Sequence, residues 1–154
     1  MEDKQANSIK TMGLVIAIYG GLIILANAMG SLIMRAFDFL DELNHTDESM
    51  PMQFLFRHYL EISVWMIVLG AGYLIGGLFL RKCKRWAALL ISVISCLLIA
   101  VIWKMDLAMY AEINDEPVYR FIGAAIFGSG IFWTAIFCVL VWFLNKKSTR
   151  QYLH

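Results

Sequence analysis

Charge is missing from four long stretches of this chain, residues 11 to 34, 62 to 80, 86 to 103 and 121 to 144. Over the whole sequence charged residues make up 16% against 60% hydrophobic ones, which leaves too little polar sequence to coat a separate soluble domain. Cysteine and histidine are scarce, and their placement excludes most of the chemistry that depends on them. Cys83, Cys96 and Cys138 form no CxxC pair, and none lies in a segment expected on the oxidising side, which argues against a disulfide-generating quinone enzyme. His45, His58 and His154 all fall outside the apolar stretches, so no two of them can face each other as bis-histidine haem ligands. Neither a metal nor another cofactor is expected, and no nucleic-acid partner.

Each stretch is close to the roughly 20 apolar residues that a helix needs to cross a bilayer core about 30 Å thick. The runs are apolar all round and do not alternate, so membrane-barrel strands are excluded. The expectation is an all-α integral membrane four-helix bundle forming one domain, residues 1–154. Pro51 and Pro117 lie outside the stretches and mark where the chain re-enters the membrane. Leu32, Phe37, Leu40 and Leu43 predict an amphipathic extension of the first helix, and Met105, Ala108, Met109 and Glu112 predict the same beyond the third.

Lysine and arginine set the expected orientation, because short loops rich in them stay on the cytoplasmic side. Lys4 and Lys10 precede the first stretch, Arg81, Lys82, Lys84 and Arg85 fill the turn between the second and third, and Lys146, Lys147 and Arg150 follow the fourth. Both termini are therefore expected in the cytoplasm, with a bacterial cytoplasmic (inner) membrane as the default location. Arg35, Arg57, Lys104 and Arg120 lie on the other side, near predicted helix ends from which their stems snorkel. Asp38, Asp41, Glu42, Asp47, Glu48, Glu61, Asp106, Glu112, Asp115 and Glu116 share that outer side, so most of the chain's 12 acids face the medium there. The first stretch is too long for a signal-peptide core of about 7 to 15 residues and reads as a retained signal anchor.

Inside the membrane, the residues with the clearest physical role are small ones, since helices in lipid associate through close contact. Ala88, Ser92, Cys96 and Ala100 recur at strict four-residue spacing, Gly72 with Gly76 and Gly13 with Ala17 and Gly21 repeat the pattern, and Ala124 with Gly128 and Ala125 with Ser129 provide it in the fourth stretch. These positions are predicted to form packing seams within the bundle or toward a partner. Asn27 is the conspicuous polar residue, and Ser92, Ser95 and Thr134 provide a sparse polar path. At the outer boundary His58 and Glu61 stand at i, i+3 spacing with Arg57 one turn before Glu61, a cluster without a nucleophile, so no enzymatic activity is expected. Arg120 occupies the matching boundary of the fourth stretch. Arg81, Lys82, Lys84 and Arg85 are placed to contact anionic lipid while fixing topology.

Two functions fit. The first is a non-enzymatic membrane protein that packs its helices or acidic outer loops against a membrane or periplasmic partner, in an accessory, assembly, inhibitor or immunity role. The second is a small channel or transporter, which four helices build only as a homo-oligomer.

Overall fold

A computed structural model of the protein describes residues 2–36, 58–112 and 117–153. It contains five helices over that range: α1 (Glu2–Ala36), α2 (Tyr59–Leu80), α3 (Arg85–Glu112), α4 (Pro117–Asn145) and the short α5 (Lys147–Arg150). No strand occurs among the described residues. Four segments are long and apolar enough to cross a membrane, Ala6–Arg35, Tyr59–Leu80, Arg85–Ala108 and Gly123–Asn145. Arg57, the outer-loop acids Asp38, Asp41, Glu42, Asp47, Glu48, Asp115 and Glu116, and the extension through Phe37, Leu40 and Leu43 lie outside the described residues.

Every long helix begins or ends beyond its apolar stretch. α1 starts at Glu2, well before residue 11, because the end of an apolar run marks the edge of the lipid while backbone hydrogen bonding carries a helix into water. α3 continues past Trp103 to Glu112, the extension that Met105, Ala108, Met109 and Glu112 predict. Asp106 is therefore a helix residue, only 6% exposed, and does not stand in an outer loop.

Successive helices pack in chain order and antiparallel, α1 on α2, α2 on α3 and α3 on α4. Both described chain ends and the α2–α3 turn therefore share one end of the bundle. The α1–α2 contact is the closest. A methyl group added at Gly13 would stand 2.7 Å from the Gly77 carbonyl oxygen, and one at Gly20 would stand 2.6 Å from that of Gly70. The two glycine pairs are seven residues apart on each helix, a heptad interval, which keeps a seam facing its partner over two turns in the left-handed packing class. Gly72 and Gly76 face the other way, toward Ile94 and Ile91 of α3.

Tyr73 ties the layers together. Its side chain is fully buried, and its ring meets Tyr19 of α1 edge-on at 6.0 Å and stacks on Phe137 of α4 at 6.5 Å between centroids. Ser95 of α3 donates its hydroxyl proton to the Ile91 carbonyl (2.8 Å), so it is the Tyr73 hydroxyl that donates to Ser95 Oγ, at 2.6 Å. A buried phenol in an apolar layer needs such a partner.

The α2–α3 turn closes with Cys83 N–H to the Leu80 carbonyl (2.8 Å) and Lys84 N–H to the Phe79 carbonyl (3.2 Å), the nested bonds of a Schellman motif with Cys83 in the left-handed region at φ 54°. This turn directs Arg81, Lys82, Lys84 and Arg85 outward, and all four are exposed. The Lys82 ammonium lies 5.3 Å from the Phe79 ring centroid.

Candidate functional site

α1 and α4 are the two ends of this chain-order packing, and they do not close on each other along their length. Tyr19 and Trp133 approach to 6.3 Å between ring centroids. Below that contact, toward the end carrying the termini, a groove of about 650 Å³ opens between the helices. Met12, Ile16 and Tyr19 form one wall, Trp133, Phe137, Leu140 and Phe143 the other, and Tyr73 closes the floor. No charged side chain lines it. Beside it, past the shared Trp142 and Phe143, a smaller polar pocket of about 170 Å³ is walled by Ser8, Lys146, Ser148 and Thr149. The Lys146 ammonium lies over Trp142, 5.2 Å from the ring centroid.

At the opposite end His58 and Glu61 line a groove of about 280 Å³ with Trp65 on α2 and with Val101, Lys104 and Met105 on α3. The structure thus adds a cation from the next helix to the predicted i, i+3 pair. Arg120 lies in the first turn of α4.

The small residues divide into two classes. Gly72, Gly76 and Ala88 are used in contacts within the bundle. Cys96 and Ala100 are exposed, with Ser92 half-buried between the two conditions. Four residues turn an α-helix by one full turn plus about 40°, so a strict four-residue stripe drifts by about 120° over three steps and cannot keep facing one straight neighbour. On α4, Ala124, Ala125, Gly128 and Ser129 all face outward, and a methyl group at Gly128 would meet no other atom within 4 Å. Gly21 is equally open, and it is Gly20 that seats against α2.

The intramembrane polar groups are held separately. Asn27 donates to the Ile23 carbonyl of its own helix (2.8 Å). Ser92 donates to the Ala88 carbonyl (2.8 Å) and accepts a long bond from Asn145 (3.3 Å), Ser95 belongs to the Tyr73 pair, and Thr134 accepts from the Trp103 indole (2.9 Å). Trp103 is a strut between α3 and α4, with Phe127 at 6.1 Å. Asp106 lies across from Gly130, where any β-carbon would collide with its carboxylate, and its Oδ2 has no hydrogen-bond partner. Ser63 Oγ is likewise buried and unpartnered.

Sequence reasoning missed Tyr19 and Tyr73, although a signal was available: they are the two tyrosines inside the four apolar stretches, away from the interfaces that tyrosine prefers. It also missed Gly20, Gly70 and Gly77, because it searched for four-residue repeats and these glycines repeat at seven. Comparison with protein-family models, curated proteins and solved structures finds no match to this chain.

Proposed function

We propose that this chain is a non-enzymatic multi-pass protein of a bacterial cytoplasmic membrane, with both termini in the cytoplasm, that acts by packing the outward face of α4 against the helix of a membrane partner. The observation that carries this reading is the open space over Gly128, flanked by exposed Ala124, Ala125 and Ser129. The glycines of the α1–α2 seam and those facing α3 are consumed inside the bundle, whereas this patch offers a close backbone approach that lipid tails do not need and a partner helix does. The cationic turn Arg81 to Arg85 and the cations after α4 share one end of the bundle, which supports the orientation. An accessory, assembly, inhibitor or immunity role belongs to this class.

The test is site-specific photocrosslinking in native membranes. A photoreactive residue at Ala125 or Gly128 is expected to give one discrete adduct, and Gly128→Leu to abolish it without loss of the folded protein, because a β-carbon there meets no other atom within 4 Å. Adducts no stronger than those from the exposed Val93 on α3 would refute the assignment. An adduct of twice the chain's mass would make the partner a second copy. The transport reading rests on Asn27, Ser92, Ser95 and Thr134, each of which is engaged in a hydrogen bond of its own.

A further inference from the structure

The α1–α4 groove and the polar pocket beside it form one composite site, and we propose that it binds a single anionic phospholipid drawn from the leaflet on the side of the termini. One acyl chain lies between Ile16 and Leu140, and the headgroup phosphate meets Lys146, Ser8, Ser148 and Thr149. This goes beyond the proposed partner face, which occupies the other half of α4.

Length argues first. The groove follows α4 from Phe132 to Phe143, a distance of about 16 Å at about 1.5 Å per residue. That is half of a hydrocarbon core about 30 Å thick, the depth of one leaflet. A partner transmembrane helix would need a seam across the whole core, and the Tyr19–Trp133 contact closes this one midway. An acyl chain enters from one surface and ends where the groove ends.

Chemistry argues second. The groove wall is hydrocarbon and aromatic, suited to a lipid tail and to nothing charged. The pocket at its mouth changes character within one turn of helix: α4 leaves the apolar span at Asn145, and Lys146, Ser148 and Thr149 follow directly. Trp142 and Phe143 wall both compartments, so a ligand that fills one is led into the other. Lys146 supplies a cation, the three hydroxyls supply donors, and the segment from Phe143 to His154 contains no acid, which matches a phosphate. Arg150 donates to Asn145 Oδ1 and braces the segment that carries the pocket. The basic α2–α3 turn has greater charge but projects its side chains outward, so it attracts a leaflet without selecting one lipid.

The test is native mass spectrometry of the full chain released from nanodiscs of phosphatidylethanolamine and phosphatidylglycerol in equal parts. Phosphatidylglycerol is expected to be retained at one molecule per chain, with at least fivefold lower retention in Lys146→Ala and in Leu140→Trp, which fills the groove. Arg81→Ala with Lys84→Ala should retain it normally, and excess inorganic phosphate should not displace it. Because Leu140→Trp can perturb packing, Lys146→Ala decides alone if that protein fails to fold. Equal retention of the two lipids, or full retention by Lys146→Ala, overturns the proposal. So does a dimer that dissociates in Leu140→Trp with no lipid present, since the groove would then belong to a second copy.

Discussion

Asp106 shows how much a single side chain depends on its neighbour across the bundle. Its carboxylate is buried against Gly130 with one oxygen unpartnered, and an unpaired buried acceptor costs about 1–3 kcal/mol, more if charged. Two asparagines elsewhere in the chain satisfy themselves by donating to the carbonyl four residues earlier, Asn27 to Ile23 and Asn145 to Val141, both at 2.8 Å. Asp106→Asn gains that same option toward Ile102 and is expected to raise stability by about 1–2 kcal/mol, read as a later midpoint in reversible unfolding by SDS. Gly130→Ala is expected to destabilise the wild-type chain and to cost much less in an Asp106→Ala background. A double-mutant cycle with no coupling would show that the carboxylate and Gly130 do not meet.

At the scale of elements, the two halves of the bundle are built differently. α1 and α2 are joined through backbone: methyl groups at Gly13, Gly20 or Gly77 would press on main-chain atoms, which cannot rotate aside. α3 and α4 are joined through side chains, by the Trp103–Thr134 bond and by Phe127 between Trp103 and Tyr110. Adjacent glycines provide a direct test. Gly20→Leu is expected to part α1 from α2 and to destabilise by more than the roughly 1–3 kcal/mol typical of overpacking, whereas Gly21→Leu, with open space above it, should be near neutral. Equal unfolding midpoints for the two variants would show that the seven-residue seam does not hold the pair.

The whole molecule is an open bundle. Its first and last long helices touch at the Tyr19–Trp133 level and part below it, so α4 is held mainly by α3 and by the aromatic cluster around Tyr73. Opening free energies follow local packing. In mild detergent, the amides of Gly123–Asn145 are therefore expected to exchange with solvent at least tenfold faster than those of Tyr59–Leu80. Equal protection of the two helices would contradict the picture of a loosely held fourth helix. The same openness leaves α4 with an exposed small-residue face over one half and a groove along the other, the two features on which the proposed partner and lipid sites rest.

The number of spans, their approximate limits and the all-helical class follow from composition alone, because a bilayer demands an uncharged run of a certain length and a backbone that bonds to itself. The start of α1 at Glu2 does not follow from it, since a helix does not stop where lipid stops; the run of α3 to Glu112 was legible only in the spacing of Met105, Ala108, Met109 and Glu112. Small residues were visible as candidates for packing, but four-residue stripes on helices of 3.6 residues per turn wind around the surface, and only the paired helix shows that Gly20 is seated while Gly21 is free. Asp106 reads as an exposed outer acid until Gly130 of the next helix is seen to make room for it. Which helices stay apart is likewise written in no local pattern. The α1–α4 groove lies between the two helices that the three chain-order interfaces leave unpaired, and that is a property of the assembled bundle.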